Sequence, residues 1–462
     1  MRARATDTGI LCLLATVIVA LGILMQRLSY EVWAAVLLIP VLGLLSVVIL
    51  RVLTRSGSAH LFPILAVGIL AKFVASALRF YVFASVYSGN GDAGVYFTRG
   101  SELAAAVRDG SKPLTAVLPW ETSLEFMYRV TGLVLTVIGP SQFGAFLVFA
   151  TLGYWGAAML VIAACRSIPG LQDRRYAWCC AFAPSLLFWP SSIGKEAVVL
   201  FGIGLLSIGV SRLVTADRRR LGAAQAILGA AIVGSVRAHL AAIFVAGLVV
   251  ALLQLVAVPA ESSGRARGPW TAFLVVSSVA GLVLVSWVAV RRLGVDDPNT
   301  GFLGDVSAAL DKASVVSDGG GSSFEPISTD NPLLWPVAVA RTLTRPLPTD
   351  IDGARTLLPA LETSLLIILV IAGARRVRYF FSLARRSPYL TYAAVSTLLF
   401  GLAFSSIANL GALIRQRSLV WAFLILLLCL PEPAGRTNTV RPIAGGTVRD
   451  QRSETGAAAS RA

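Results

Sequence analysis

A lone carboxylate lies in the glycine-rich stretch GNGDAGVYFTRG (89–100), directly after a long apolar run. A helix-like pattern resumes at Tyr96, four residues beyond Asp92. A carboxylate beside a substrate can act as a general base that takes a proton from a hydroxyl group. Aspartate before a helical run is also a good N-cap, and glycine is common in turns. The stretch therefore predicts either a catalytic base or a helix cap at Asp92.

Basic residues recur where other apolar runs end, in FWPSSIGKEAVVL, SVRAHLAAI and ANLGALIRQRSLVW. Ionisable groups at membrane depth are expensive and usually have a functional or pairing role. Several arginines on one face would suit an anion, above all a phosphate. The alternative is that each side chain extends to the interface or caps a carbonyl group. The residues expected to bind substrate are Lys195, Arg237, His239, Arg345, Arg415 and Arg417.

Repeated apolar runs decide the fold class. The chain of 462 residues is 56% hydrophobic and 14% charged, with a mean hydropathy of +0.76. Soluble domains average roughly a quarter charged residues, whereas apolar runs of about 20 residues cross a bilayer as helices. We therefore expect an all-α, polytopic integral membrane protein with about 12 transmembrane helices. The predicted crossings lie near 9–25, 32–50, 61–86, 141–164, 177–194, 197–213, 222–238, 240–257, 270–290, 358–374, 388–408 and 416–430.

The net charge of +16 is explained by orientation across the membrane. Cytoplasmic loops collect Lys and Arg, and the basic excess gathers in ADRRR (216–220) and RRVRYFFSLARR (375–386). This distribution predicts that both termini lie in the cytoplasm. The positive charge does not require a nucleic-acid partner, and we expect membrane lipids as the partner. The five cysteines lie within or beside apolar runs, so they indicate neither a disulfide framework nor a zinc site. The excess of arginine over lysine suggests a GC-rich bacterial genome. We expect a multi-pass protein of the plasma membrane.

The chain is predicted to divide into three parts. These are an N-terminal helical hairpin (1–60), a transmembrane core (61–430) and a disordered cytoplasmic tail (431–462). Two long segments of the core, 87–140 and 291–357, would face outward. Within the first, residues 121–138 are only partly apolar, and we expect a helix lying in or dipping into the outer interface.

Several short motifs resemble the GT-C superfamily, which comprises membrane glycosyltransferases that use polyprenyl-phosphate-linked sugars. An outward aspartate followed by a small-residue helix, GDAGVYFTRGSELAAAVRDG, is the first similarity. GPSQFGAFLVF entering a helix and APSLLFWPSSIGKEA are the next two. RPLPTDIDGA and NLGALIRQR are similar to relatives from bacterial polysaccharide gene clusters. The chain departs from the family in having one acid at the first position, two extra helices before it and no large C-terminal soluble domain.

This resemblance implies an enzyme that transfers a sugar from a polyprenyl-phosphate-linked donor to a cell-envelope glycan or lipid acceptor outside the membrane. Asp92 would match the catalytic acid of the first outer loop, and Glu196 would match the second acidic position approximately. The arginines would hold the lipid phosphate as it leaves. Metal use is left open, with a divalent cation bound by Asp92 as one alternative.

Other functions share the same gross pattern. A polysaccharide polymerase or O-antigen-ligase-like enzyme would depend most on Arg237 and His239. A lipid-linked glycan transporter should carry polar residues at the bilayer midplane on several helices, where Lys72 is nearly alone. The chain could also be a non-catalytic partner in a polysaccharide complex. Substitution of Asp92 distinguishes a transferase from these alternatives.

Overall fold

A computed structural model of the protein describes most of the transmembrane region. The described residues are 29–55, 57–113, 115, 122–257, 269–293, 331–351 and 353–432, with scattered positions between 16 and 26. The predicted crossing at 9–25, much of the second outer segment and the tail after 432 lie mainly or wholly outside them. Within these ranges the chain forms helices joined by turns and contains no strand, as predicted for an all-α protein.

The helices are numbered here in chain order. They are α1 (Tyr30–Thr54), α2 (Phe62–Tyr81), α3 (Asp92–Arg108), α4 (Ser123–Ile138), α5 (Gln142–Ser167), α6 (Asp173–Phe182), α7 (Pro184–Phe188), α8 (Lys195–Thr215), α9 (Arg219–Val236), α10 (Ala238–Ala257), α11 (Pro269–Leu293), α12 (Trp335–Thr344), α13 (Ala354–Ala372), α14 (Ala374–Ala384), α15 (Pro388–Ala403), α16 (Leu410–Arg417) and α17 (Trp421–Cys429). A π-helical turn, Val82–Val86, continues α2.

Six of the described helices are long and apolar enough to cross a membrane, namely α1, α2 with its π turn, α5, α8, α10 and α11. The total rises to eight if two bent pairs each count as one crossing. Those pairs are α13 with α14, bent by 79°, and α16 with α17, bent by 60°. The protein is thus a polytopic helical membrane protein by length and composition. The figure of about 12 crossings stays a prediction.

One predicted crossing, 177–194, differs from the observed helices. The chain there forms two short helices, α6 and α7, separated at Ala183, whose backbone is extended (φ −60°, ψ 122°). Pro184 explains this break, because the residue before a proline is kept out of the helical conformation by the proline ring. The predicted interfacial segment 121–138 is a 16-residue helix, α4, which packs against α3.

The two most buried long helices, α5 and α8, pack together through glycine. A Cβ atom on Gly204 would lie 2.3 Å from the carbonyl oxygen of Gly156, so these backbones are in direct contact. Helix α9 packs on the opposite side of α8 in the same way, where a Cβ on Gly229 would lie 2.4 Å from the Leu206 nitrogen. Small residues at such crossings are typical of membrane helices. Their effect here is to fix α8, which carries Lys195 and Glu196 at its first turn.

Charged residues assigned to opposite sides of the membrane gather at opposite ends of α8. At about 1.5 Å per residue, this 21-residue helix is roughly 30 Å long. The charges of Arg166, Arg212 and Asp217 act on one another at its C-terminal end. Glu196, at its N-terminal end, forms ion pairs with two arginines. The alternation of loops along the chain predicted this separation, while the direction of the protein in the membrane stays a prediction.

Candidate functional site

Glu196 lies at the centre of the charged group. It follows Gly194, whose extended backbone ends the SSIG turn, and it occupies the first turn of α8. Its side chain is 6% exposed, and its Oε1 atom lies 3.1 Å from Nη2 of Arg237 and 3.1 Å from Nε of Arg415. A buried carboxylate is tolerated only when it is paired. Glu196 therefore holds two arginines that are far apart in the sequence.

Arg237 reaches Glu196 because the chain changes direction there. Its backbone (φ −147°, ψ 91°) ends α9, and α10 begins at the next residue. The side chain is 11% exposed. Its Nη1 atom is buried and has no hydrogen-bond partner among the described residues. The guanidinium, held on one side by Glu196, thus keeps a donor for which the described part of the protein supplies no acceptor.

Asp92 is the exposed acid of the site. It is the first residue of α3, and the preceding Gly91 has φ of +120°, a value that favours glycine. Close approach of the turn also requires Gly94, since a Cβ there would lie 2.6 Å from the Gly89 carbonyl oxygen. The N-cap position of this helix is occupied by Gly91, and Asp92 is the first helical residue. Asp92 therefore does not occupy the N-cap position, and its carboxylate is 60% exposed.

Arg415 joins the exposed and the buried carboxylate. It lies on the short helix α16, whose N-cap Asn409 accepts a hydrogen bond from the Ala412 amide at 2.9 Å. Nη1 of Arg415 is 3.4 Å from Oδ2 of Asp92, while its Nε faces Glu196. One guanidinium thus bridges α3 and α8. The carboxylates have the same chemistry but different surroundings, because one is buried and the other faces solvent.

Asp92, Glu196 and Arg415 line a cavity of about 800 Å³, which also has Arg79, Tyr87 and Trp189 in its wall. Arg237 does not line this cavity and is joined to it through Glu196. The Arg79 guanidinium lies over two aromatic rings, 4.8 Å from the Phe188 centroid and 5.2 Å from that of Trp189. Its Nε is buried without a hydrogen-bond partner in the described region. Arg79, Arg237 and Arg415 face two carboxylates, so the group carries excess positive charge. Such a site can bind an anion.

A tyrosine packs beneath the acids. Tyr96 lies one turn along α3 from Asp92, and its ring is 1% exposed, 5.9 Å from that of Tyr128 on α4. Burial raises the pKa of the Tyr96 phenol above its ordinary value, and the nearby charges of Asp92 and Glu196 raise it further. The phenol is therefore neutral at physiological pH and supports α3 from below.

Lys195 and His239 lie beside the cavity rather than in its wall. The Lys195 ammonium donates to Oγ of Ser123, at 3.4 Å, at the start of α4. His239, on the first turn of α10, packs on Phe404 with 5.7 Å between ring centroids. The charges of Arg237 and Lys195 act on His239. Both predicted residues are thus close to the central ion pairs, but neither contacts the cavity directly.

Arg345 and Arg417 form a separate, structural cluster. Arg417 is fully buried, donates to Thr363 Oγ1 at 2.8 Å and to the Leu343 carbonyl at 3.2 Å, and lies 4.5 Å from the centroid of the Trp421 ring. It also donates to the carbonyl of Arg345, whose own Nε is 3.4 Å from Asp350 Oδ2. Residues two apart on a helix point about 200° apart. Helix α16 therefore sends Arg415 to the cavity and Arg417 away from it.

Two ionisable residues beside the cavities, Arg79 and Glu362, were not predicted from the sequence to belong to the site. Arg79 is not among the predicted substrate-binding residues. It lies seven residues after Lys72 on α2, and the Lys72 ammonium donates to the Leu186 and Leu187 carbonyls at 2.9 and 3.0 Å. Glu362 lies within the predicted crossing 358–374, where an ionisable residue usually has a functional or pairing role. It accepts hydrogen bonds from the Ser185 amide, at 3.1 and 3.2 Å, and from the Ser185 hydroxyl.

Glu362 and Arg79 line a second cavity, of about 300 Å³, whose other walls are mostly apolar. Arg79, Tyr87 and Trp189 belong to the walls of both cavities. The smaller cavity therefore adjoins the charged one, with Arg79 between them. An anion bound at Arg79 could carry an apolar group into the smaller cavity.

The described residues contain no cluster of three or more His, Cys, Asp or Glu side chains that could hold a metal ion alone. Magnesium often binds through one or two carboxylates together with substrate phosphates, and Asp92 is the exposed carboxylate able to take that part. Comparison of the chain with models of protein families, with curated protein sequences and with solved structures found no match.

Proposed function

We propose that this protein is a membrane glycosyltransferase of the GT-C type. It transfers a sugar from a polyprenyl-phosphate-linked donor to a glycan or lipid acceptor of the cell envelope, at the outer face of a bacterial plasma membrane. The observation that carries the proposal is the arrangement around Arg415. This residue links an exposed acid, Asp92, to a buried one, Glu196, on the wall of an 800 Å³ cavity.

Asp92 acts as the general base in this proposal. Its carboxylate takes the proton of the acceptor hydroxyl while the hydroxyl oxygen forms a bond to the anomeric carbon of the sugar. The bond between that carbon and the phosphate oxygen breaks, and the lipid phosphate leaves with the bonding electrons. Arg415 and Arg79 are placed to stabilise the leaving phosphate, because their guanidinium groups line the same cavity.

Glu196 has a positioning role in this scheme. Its burial and its two arginine partners leave it poorly suited to receive a proton from an acceptor, whereas they suit it to holding Arg237 and Arg415 in place. The smaller apolar cavity beside Arg79 supports a donor that carries a lipid chain. The helix ends that form the site would face outward, as the distribution of basic loops predicts.

The alternatives are less well supported by the geometry. A ligase-like enzyme that relies on His239 should present this side chain to the cavity, yet His239 packs on Phe404. A transporter should have polar groups available at mid-membrane, whereas the Lys72 ammonium is engaged by two backbone carbonyls. A non-catalytic partner would need no exposed acid beside the bridging arginine.

The test is mass spectrometry of lipid-linked and surface glycans in a deletion strain. We expect the wild-type gene to restore the missing glycan, and Asp92→Asn to restore little of it at equal protein level. Asp109→Asn is the matched control, since this exposed acid of the same outer segment accepts hydrogen bonds from nearby Ser111 and lies outside the cavity wall. Loss of product with His239→Ala and normal product with Asp92→Asn would favour the ligase-like alternative and refute the transferase.

A further inference from the structure

A second basic site lies at the other end of α8. Three consecutive arginines lie at the start of α9, with Arg218 at its N-cap position and Arg219 and Arg220 in its first turn. They line a surface cavity of about 520 Å³ together with Leu221 and Trp270. Arg218 and Arg220 are exposed and Arg219 is half-buried. None of the three forms an ion pair with a described residue. The three guanidinium groups thus have no carboxylate partner in the described part of the chain, and groups of this kind bind anions.

An apolar groove begins beside these arginines. Helices α9 and α11 both pack against α10 and leave between them a cavity of about 560 Å³. Its walls include Ile227 on α9 with Phe273, Gly281 and Leu284 on α11. Only 17% of the α11 span is buried. An apolar gap of this kind in a membrane is filled by apolar material, because a void forfeits dispersion contacts along its whole lining.

Trp270 joins the two features. It belongs to the walls of both the arginine cavity and the groove, and its ring stacks on Phe273 with 5.4 Å between centroids. Tryptophan is typical of the membrane–water interface. From Trp270 to Leu284 the groove follows about 20 Å of helix. An occupant that satisfies both cavities needs an anionic head and a long apolar chain.

We propose that an anionic phospholipid binds here, with its phosphate at Arg218–Arg220 and an acyl chain in the groove between α9 and α11. Basic pockets beside transmembrane helices recognise such head groups. The site is distinct from the sugar-transfer cavity, since Glu196 and Arg218 lie near opposite ends of α8. It therefore does not depend on the proposed glycosyltransferase activity.

Native mass spectrometry of the full-length protein released from nanodiscs tests the head-group part. The nanodiscs contain phosphatidylglycerol and phosphatidylcholine with matched acyl chains. We expect the wild type to retain phosphatidylglycerol in preference, and the triple variant Arg218→Gln, Arg219→Gln, Arg220→Gln to lose about fivefold of that preference per arginine. Arg385→Gln with Arg386→Gln, which removes exposed arginines elsewhere, should keep it. Equal retention by the triple variant and the wild type would overturn the proposal.

The groove is tested by Gly281→Phe. A Cβ at Gly281 meets no atom within 4 Å, so the new ring can enter the groove without displacing backbone, and glycine is a poor helix former in any case. We expect Gly281→Phe to retain little lipid with an unchanged unfolding temperature, and Gly281→Ala to behave as wild type. Normal retention by Gly281→Phe refutes the groove. If the wild type retains no lipid, a segment of the chain fills the groove and the proposal fails. If the wild type is a dimer that Gly281→Phe disrupts, a second copy of the chain fills the groove and the proposal also fails.

Discussion

Substitution of Glu196 by glutamine separates a positioning acid from a catalytic one. The change keeps the shape of the side chain and removes its charge, so that Arg237 and Arg415 lose their shared partner. Removing one member of a buried ion pair typically costs about 3–5 kcal/mol, because the remaining charge stays buried without compensation. Glu196 is 6% exposed and Arg237 is 11% exposed, with 3.1 Å between their charged atoms, which places this pair in that class.

The matched comparison is Asp92→Asn. Its partner is also Arg415, but the N···O distance is 3.4 Å and the carboxylate is 60% exposed. Exposed pairs contribute about 0.2–1 kcal/mol, so stability should hardly change. Loss of a general base should nevertheless slow sugar transfer by about 10²–10⁴-fold. The two isosteric changes should therefore affect different measurements, stability for Glu196 and rate for Asp92.

Both are measured on purified protein in nanodiscs, by thermal unfolding and by transfer from a polyprenyl-phosphate sugar. A second substitution sharpens the first: Arg237→Met in the Glu196→Gln background should recover part of the lost stability, since an apolar residue replaces one uncompensated charge. If Glu196→Gln unfolds at the same temperature as Asp92→Asn, then Glu196 does not hold the arginines, and the positioning role is refuted.

Three further predictions concern the arginines, the membrane topology and the helix contacts. Arg415→Ala should raise KM for the donor, as expected when phosphate binding is lost. Arg417→Ala should instead lower the protein level and the unfolding temperature, because the hydrogen bonds to Thr363 and Leu343 are lost. Equal kinetic effects of the two substitutions would contradict these assignments. An impermeant thiol reagent should label Ser111→Cys in intact cells and should not label Arg378→Cys, and the reverse pattern would invert the topology. Gly204→Ala should strongly reduce the amount of folded protein, since its Cβ would lie 2.3 Å from the Gly156 carbonyl oxygen. Gly281→Ala should leave the amount of folded protein unchanged. Similar levels of both variants would show that α5 and α8 can move apart without loss of stability.

The fold class could be predicted from the sequence because each long apolar run indicates, without reference to the rest of the chain, that it lies in the bilayer. Twenty apolar residues in succession have one stable arrangement in a bilayer, a helix whose backbone hydrogen bonds are internal. The grouping of Asp92, Glu196, Arg237 and Arg415 could also be anticipated. All four lie at or beside an end of a predicted crossing, and counting crossings places them at one end of the bundle, where the ion pairs join them.

The direction of individual side chains could not be predicted in this way. Arg415 and Arg417 have the same chemistry and nearly the same position, yet one lines the cavity and the other is buried beneath Thr363. This difference depends on the rotation of α16 about its axis, which is set by contacts with helices distant in the sequence. The break at Ala183 was different, since Pro184 was visible and indicates a helix boundary.

The different roles proposed for the two acids follow from burial, which a single sequence does not report. Asp92 and Glu196 each follow a glycine-containing turn and lie in the first turn of a helix, so their local patterns are alike. Desolvation makes a buried carboxylate depend on its partners, and those partners depend on it in turn. An exposed carboxylate keeps access to a hydroxyl group and loses little when its partner moves. Arg415 contacts both, so binding of an anionic phosphate at this guanidinium would weaken its attraction to Asp92 first, because that pair is longer and more exposed. The same event that positions the donor would therefore release the proposed base to the acceptor.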